Sequence, residues 1–265
     1  MNEKIAIIGG GNLGSAIAEG LLKSNFARPG DIVVTRRNAA ALKALREKGV
    51  QVTDNNNEAV RNSRLIILAV KPFQLKEVLL GIAGDLAPER HILMSVITGV
   101  FIKDIHELIN MELPVFRAMP NTAIAIQESM TCLSYVNATA DQVKYVERLF
   151  STVGKVVSID EKLMDAATVL GACGTAFAMR YIRANIQGGI EIGFGAATAS
   201  VIAAQTVKGA AELLLQKGTH PEQEIDKVTT PKGCTIVGLN EMEHRGFSSS
   251  LIKGIASSYE KIAKT

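Results

Sequence analysis

The stretch Ile5–Gly14, which reads IAIIGGGNLG, decides the fold of this chain. Its first four residues form a continuous apolar run that is too short for a helix, as is typical of a strand buried on both faces. Gly9, Gly11 and Gly14 then give the pattern G-x-G-x-x-G, and apolar residues at helical spacing follow. A strand, a glycine turn and a helix in this order predict a dinucleotide-binding turn. The alternative interpretation is a glycine-rich turn without a ligand.

Each glycine of this turn has a separate physical reason. Gly9 permits the tight turn, Gly11 leaves room for a pyrophosphate, and Gly14 lets the helix pack closely on the strand. The start of the helix also offers free N–H groups and a partial positive charge to a phosphate.

The alternation of strand and helix continues to about residue 160. Strands are predicted at 5–8, 31–35, 65–70, 91–95, 115–118, 131–135 and 155–158, with helices at 12–23, 39–48 and 140–151 and another opening at Pro72. Short loops between such elements predict a Rossmann-type doubly wound parallel sheet. We therefore assign residues 1–160 to a dinucleotide-binding domain of the α/β class.

The pattern changes from Glu161 onward, where the chain is rich in alanine and shows no strand pattern. Breaks are predicted near Gly188–Gly189, 193–195, 218–221 and 231–233. Residues 161–265 are therefore predicted to form an all-helical domain for substrate binding and dimerisation. Its many small residues would let helices approach closely, which fits a subunit interface or packing within the domain equally well.

Composition excludes several classes of function. The 265 residues carry 29 Lys+Arg against 26 Asp+Glu, a net charge of +3, which gives no case for a nucleic-acid or membrane-surface partner. Three cysteines without a C-x-x-C motif indicate reduced thiols. The four histidines do not form a metal-binding motif, so a metal site is not expected. The most apolar late run, 169–179, is shorter than the ~20 residues of a membrane-spanning helix. With no signal-peptide pattern at the start, we expect a soluble cytoplasmic protein.

The end of the second predicted strand selects the cofactor. An NAD site usually places Asp or Glu about 20 residues after the glycines, to bind the ribose 2′-hydroxyl. Here Thr35 is followed by Arg36 and Arg37, with no carboxylate. Two guanidinium groups can hold a 2′-phosphate through charge-assisted hydrogen bonds, which favours NADPH over a weaker NADH. Alternatively, both arginines are solvated charges on the next helix.

Three further loops follow predicted strands at the carboxyl edge of the sheet, where open parallel sheets bind ligands. They are Ala69–Pro72, Ser95–Gly99 and Arg117–Thr122. Together they predict the floor of a nicotinamide site, although each alone would be read as structural.

In the helical half, the segment Thr229–Ile236 leads into an amphipathic helix. Its hydroxyl residues, proline and glycine predict a helix start with several unpaired N–H groups. Such an end can hold a small carboxylate, although composition alone also fits a plain capped helix.

Taken together, these motifs resemble those of the pyrroline-5-carboxylate reductase family. The resemblance covers nearly the whole chain and includes, in order, the glycine turn, Ala69–Pro72, Arg117–Thr122, Asp165–Gly174, Gly209–Ala211 and Thr230–Ile236. The last segment is the most diagnostic, because general dinucleotide-binding proteins lack it. The family implies an intertwined homodimer through the helical domain, often assembled into a ring of dimers, and a preference for NADPH.

The resemblance also implies roles for individual residues. The residues implied to hold the cofactor are Gly9, Gly11, Asn12, Leu13, Gly14, Thr35, Arg36, Arg37, Asn56, Ala69, Val70, Lys71, Pro72, Ser95 and Ile97. Those implied to hold the substrate are Glu161, Thr230, Gly233, Cys234 and Thr235, with the Thr235 hydroxyl as the catalytic group nearest the imine. The implied reaction is hydride transfer from NADPH to the imine carbon of Δ1-pyrroline-5-carboxylate, giving L-proline, without a metal.

This chain departs from the family pattern near the implied substrate site. Lys232 replaces a glycine, Cys234 replaces a smaller residue, the run 171–177 is altered, and Ala123 stands where proline is usual. Two other interpretations therefore stay open. One is a reductase of a different cyclic imine or keto acid, and the other is an NADPH-binding protein without turnover.

Overall fold

The structure, a computed structural model, describes residues 3–263. Contacts between Cα atoms divide the chain into two units. The first contains the residues up to Cys173 and the segment from Lys261, and the second is Gly174–Glu260. The predicted domain boundary between residues 160 and 161 stays a prediction.

An eight-stranded sheet forms the centre of the first unit. The strands are β1 (Ile5–Ile8), β2 (Ile32–Thr35), β3 (Gln51–Thr53), β4 (Leu65–Leu68), β5 (Ile92–Ser95), β6 (Val115–Met119), β7 (Ser129–Val136) and β8 (Gly154–Ser158). Their order is β3-β2-β1-β4-β5-β6-β7-β8, and all neighbours are parallel except β6 and β7. The predicted Rossmann-type doubly wound parallel sheet is confirmed, apart from this one antiparallel pair.

The antiparallel pairing of β6 with β7 was not predicted. Val115 pairs with Val136, so the two strands run in opposite directions. Only residues 120–128 connect them, and most of that connection is a 3₁₀ turn at Thr122–Ile126. A parallel neighbour needs a crossover of a dozen or more residues, so this short connection forces the chain to reverse.

Helices cover the sheet. The α-helices of the first unit are α1 (Asn12–Lys23), α2 (Lys43–Glu47), α3 (Asn56–Arg61), α4 (Leu75–Ile82), α5 (Ile102–Ile109), α6 (Ala140–Ser151) and α7 (Met164–Ala167). Alternate residues of β1 belong to two separate apolar clusters, with Ile5 and Ile7 in one and Ala6 and Ile8 in the other. The two clusters lie on opposite faces of the sheet, as the continuous apolar run predicted.

Several local predictions need correction. The predicted helix 39–48 is a 3₁₀ turn at Ala39–Leu42 followed by the short α2, and the predicted strand 65–70 ends at Leu68. The strand β3 and the helices α3 and α5 were not predicted. Because β3 has only three residues and begins at an exposed glutamine, it lacks the apolar run of a buried strand.

The second unit is helical throughout. Its helices are α8 (Gly174–Glu191), α9 (Ala196–Lys217), α10 (Pro221–Lys227), α11 (Cys234–His244) and α12 (Phe247–Ala263), the last of which runs on into the first unit's terminal segment. The break predicted at Gly188–Gly189 is wrong, because α8 continues through both glycines and ends before Gly193, where φ is +111°. Among the residues described, no helix is both long and apolar enough to cross a membrane.

The helical unit has almost no core within a single chain. No residue of α8 is buried, and α9 buries only Ala199 and Ala203. Large apolar side chains are instead exposed, for example 70% of Val201 and 69% of Leu215. Exposed apolar surface on this scale usually marks a protein–protein interface.

Candidate functional site

The glycine turn after β1 joins three strands at the carboxyl edge of the sheet. The N–H groups of Gly9 and Gly10 both donate to the carbonyl of Thr35, at 3.2 and 2.7 Å. Gly9 has φ +112°, and a Cβ there would lie 2.7 Å from the carbonyl oxygen of Ala69. Only glycine satisfies both constraints, so this residue holds the ends of β1, β2 and β4 together.

The start of α1 leaves a cradle for an anion. Gly11 precedes the helix without a side-chain cap, and the first turn contains no acidic residue. The backbone N–H of Ser15 donates to the carbonyl of Gly11, so the N–H groups of the residues between them have no acceptor within the helix. A Cβ at Gly11 would meet no atom within 4 Å, whereas one at Gly14 would lie 2.1 Å from the carbonyl oxygen of Gly9. Gly14 therefore brings the helix close to the turn, and Gly11 keeps the space in front of it open.

A groove of about 780 Å³ follows this edge of the sheet. The predicted cofactor residues that line it are Gly9, Gly11, Asn12, Leu13, Thr35, Arg36, Arg37, Asn56, Ala69, Val70, Lys71, Pro72 and Ile97. Gly14 and Ser95 do not line the groove. Gly14 packs beneath the turn, and Ser95 is fully buried, with its hydroxyl accepting a hydrogen bond from the N–H of Ile97.

Sequence reasoning missed part of the lining. The lining residues that were not predicted are Ile8, Gly10, Asn38, Asp54, Gln74, Glu77 and Val78, whereas Val96, Thr98 and Thr122 belong to the predicted loops Ser95–Gly99 and Arg117–Thr122. Most of them directly follow a strand or begin the next helix, which is a signal the sequence does contain. Asp54 was missed because it follows β3, the strand that was not predicted.

The strand order sets the direction of the groove. Arg36 and Arg37 follow β2, Ala69–Pro72 follows β4, and the residues after β5 and β6 come next along the sheet. Arg36 and Arg37 therefore lie towards one end of the groove. The other end, which we call the β5–β6 end, is formed by Val96–Thr98 and Thr122.

The two arginines differ in their surroundings. Nη1 of Arg36 donates to the carbonyl of Gly10 at 3.0 Å, which holds this side chain against the glycine turn. Arg37 is exposed and makes no ion pair with any of residues 3–263. One guanidinium is thus already oriented at the groove, and the other is available to an anion.

Glu161 lies outside the groove, in the same unit. Its Oε1 accepts a hydrogen bond from the N–H of Ile102 at 2.7 Å and lies 3.5 Å from Nη1 of Arg117. The carboxylate is therefore engaged at the start of α5. Its predicted contact with substrate stays a prediction.

The other predicted substrate residues lie in the helical unit, in the turn before α11 and in the first turn of that helix. Gly233 precedes the helix without a side-chain cap, and its N–H donates to the carbonyl of Thr230 at 2.9 Å. The first turn of α11, which contains Cys234 and Thr235, has no acidic residue. Among residues 3–263 the Thr235 hydroxyl makes no hydrogen bond, so it is available to a ligand.

Lys232 takes a backbone conformation that favours glycine. Its φ is +61°, in the left-handed region. A residue with a Cβ in this region costs about 1–2 kcal/mol relative to glycine. The presence of lysine instead of glycine at position 232 therefore strains the backbone of this turn.

Replacing Lys232 with glycine is expected to stabilise the protein by about 1 kcal/mol, because relief of the strain exceeds the added entropy of the unfolded chain. For a chain of this size the thermal midpoint should rise by roughly 2–4 °C, measured at one fixed protein concentration. Lys232→Ala keeps the Cβ and is the matched control, with a midpoint near that of the parent. Equal midpoints for both variants would contradict the strain.

Within residues 3–263 no cluster of three His, Cys, Asp or Glu side chains is arranged to hold a metal ion. The three cysteines are free thiols, and burial raises the pKa of Cys132. Besides backbone N–H groups and hydroxyls, the candidate site contains the guanidinium groups of Arg36 and Arg37, the ammonium group of Lys71 and the carboxylates of Asp54 and Glu77.

The fold and the groove define a dinucleotide-binding protein of the Rossmann class. Comparison with known families agrees: residues 4–99 match the family described as NADP oxidoreductase, coenzyme F420-dependent, and residues 161–265 match pyrroline-5-carboxylate reductase dimerisation.

Individual relatives are similar over the whole chain. Pyrroline-5-carboxylate reductase 2 of Dictyostelium discoideum is 43% identical, over 100% of this chain and 93% of its own length. Pyrroline-5-carboxylate reductase 1 of the same organism is 46% identical over 98% of this chain, which spans 49% of that longer protein. The crystal structure of Plasmodium falciparum pyrroline carboxylate reductase with NADP bound superposes with a TM-score of 0.89 at 26% identity, covering 98% of this chain and 97% of that one. The chain belongs to the pyrroline-5-carboxylate reductase family.

Proposed function

We propose that this chain reduces the imine of Δ1-pyrroline-5-carboxylate to L-proline with NADPH. The observation that carries the proposal is the groove: in a member of this family, it joins an uncapped helix start to a pair of arginines at the carboxyl edge of a Rossmann sheet. The proposed substrate and reaction are those stated in the names of the relatives.

The residues of the groove fit the cofactor. The free N–H groups at the start of α1 and the open space at Gly11 match a pyrophosphate. Thr35, Arg36 and Arg37 would hold the 2′-phosphate, and Ala69–Pro72 with Ile97 would line the path to the nicotinamide. When bound, the reduced nicotinamide supplies the hydride.

The helical unit would hold the substrate. The N–H groups at the start of α11, from Cys234 and Thr235, can bind a small carboxylate, and Thr230 adds a hydroxyl beside them. The Thr235 hydroxyl would orient the ring nitrogen and pass it a proton from solvent. A protonated imine is already electrophilic, so orientation is the main task, and well-held reactants can gain roughly 7–11 kcal/mol.

The direct test is oxidation of NADPH, followed at 340 nm, with Δ1-pyrroline-5-carboxylate as the sole acceptor. We expect turnover with this substrate and little with piperideine carboxylates or 2-keto acids. The residue Lys232, whose φ is positive, favours one second candidate, a reductase of a different cyclic imine or keto acid, because its side chain is bulky and lies in the proposed substrate turn. A preference for the six-membered imine would support that candidate, and NADPH binding without turnover would indicate a non-catalytic protein.

Thr235→Ala is expected to lower turnover by roughly 100-fold, because it removes the group that orients the imine and relays its proton. The affinity for NADPH should be unchanged, since Thr235 is not assigned to the cofactor groove. Steady-state kinetics and NADPH titration by fluorescence measure the two quantities, and Thr235→Ser, which keeps the hydroxyl, is the matched control. Unchanged turnover in the alanine variant would remove Thr235 from this role.

We further propose a homodimer through the helical unit, supported by its exposed apolar side chains and by the dimerisation family that matches residues 161–265. The assembly of such dimers into a ring, which the resemblance to the family implies, belongs to the same proposal, and sedimentation analysis would distinguish it from a dimer. The free thiols fit a cytoplasmic location. The same proposal assigns cofactor binding to residues 1–160, and substrate binding and dimerisation to residues 161–265.

A further inference from the structure

A fully buried arginine lies on β6, the strand that leads to the β5–β6 end of the groove. The side chain of Arg117, on β6, has 0% exposure, and its Nη2 donates to Oδ1 of Asp165 at 3.1 Å. The Cζ atom lies 4.8 Å from the centre of the Phe101 ring. Nε and Nη1 make no hydrogen bond with residues 3–263. A buried cation that leaves two of its nitrogen atoms without a hydrogen bond is costly, so its presence calls for an explanation beyond stability.

The neighbours of Arg117 hold the segment that follows β5. Glu161 lies 3.5 Å from Nη1 of Arg117 and accepts the backbone N–H of Ile102, the first residue of α5. Phe101 stacks on the guanidinium immediately before this helix. The chain between β5 and Phe101 includes Val96–Thr98, which lines the groove. The far end of that lining segment is therefore fixed to Arg117 through a ring and a carboxylate.

The strand that carries Arg117 leads to the other wall of the same end. Residues 120 and 121 connect β6 to Thr122, which also lines the groove. The amide of Asn121 donates to the carbonyl of Gly171 at 3.2 Å, and its oxygen accepts the N–H of Ala123. Both walls of the β5–β6 end thus depend on contacts around β6 and the segment 161–171.

We propose that Arg117 is a positioning residue that sets the β5–β6 end of the groove through Phe101 and Glu161, without lining the groove itself. The effect of Arg117 on cofactor binding rests on the proposed function, because the proposed function assigns the β5–β6 end to the nicotinamide half of NADPH. The adenosine half binds towards β2, on the opposite side of β1 in the strand order. Loss of Arg117 should therefore weaken one half of the cofactor and spare the other.

The experiment compares two ligands on the full-length protein. For Arg117→Met, the Kd for NADPH should rise at least about tenfold, whereas that for adenosine 2′,5′-bisphosphate should change less than about twofold. Arg117→Lys keeps the charge and should recover part of the loss. Unchanged NADPH affinity in Arg117→Met, or equal losses for both ligands, would overturn the proposal.

Hydrogen exchange on the ligand-free protein tests the positioning role separately. In Arg117→Met, the amides of residues 96–104 should exchange faster while those of α1 keep the parent's rates. Unchanged protection at 96–104, or loss of protection throughout the unit, would contradict it. If the parent protein binds neither ligand, the proposed function fails, and this measurement still decides whether Arg117 orders the segment.

Discussion

Replacing both Arg36 and Arg37 with alanine is expected to weaken NADPH binding about 100-fold while changing NADH binding less than about threefold. The two cofactors differ by the 2′-phosphate, and charge-assisted hydrogen bonds to such a group contribute about 1.5–3 kcal/mol each. Arg36 is already held against the glycine turn through the carbonyl of Gly10, and Arg37 is exposed beside it. Fluorescence titration with each cofactor at one ionic strength gives both Kd values.

The control for this double variant removes two positive charges elsewhere. Lys43 and Arg46 are exposed on α2 and do not line the groove. Lys43→Ala with Arg46→Ala lowers the net charge equally, so it reports any general loss of attraction for an anion. Equal losses of NADPH and NADH affinity in the Arg36 and Arg37 variant would argue against a 2′-phosphate site.

The first half of the fold was predictable because its signals are local. The run Ile5–Ile8, the glycine turn and α1 each follow from a few adjacent residues, and all three occur as predicted. The direction of β7 was not predictable from its own residues, since a short connection and not a residue pattern reverses the chain. The amphipathic α5, by contrast, carries apolar residues at Ile102, Ile105 and Ile109 and could have been found.

The candidate site, like the fold, was predictable from the sequence only in part. Thirteen of the fifteen predicted cofactor residues line the groove, because strand ends in a parallel sheet meet at one edge. The surroundings of Glu161 and Arg117 could not be predicted, since their contacts join residues 44 positions apart in the chain. The exposed apolar residues of α8 and α9 look like core residues in the sequence, and only the structure shows that one chain leaves them uncovered.

The largest expected contrast is between two alanine substitutions in the glycine turn. Gly14→Ala would place a methyl group 2.1 Å from the carbonyl oxygen of Gly9, and a backbone atom cannot yield unless α1 moves away from β1. We expect a loss of about 3 kcal/mol or more in the free energy of unfolding. Gly11→Ala has no such obstacle: its φ of −81° suits any residue, and its Cβ meets open space. Its stability should stay within about 0.5 kcal/mol of the parent.

The affinity for NADPH should distinguish Gly11→Ala from Gly14→Ala in the opposite direction to their stability. The methyl group of Gly11→Ala enters the groove in front of the uncapped N–H groups of α1, so it displaces the pyrophosphate from the donors that would hold it. We expect its Kd for NADPH to rise about 30-fold or more, equivalent to roughly 2 kcal/mol. Thermal unfolding at fixed protein concentration and NADPH titration measure the two effects. A stable Gly14→Ala would show that the helix can withdraw from the turn, whereas a Gly11→Ala that binds NADPH normally would place the pyrophosphate elsewhere.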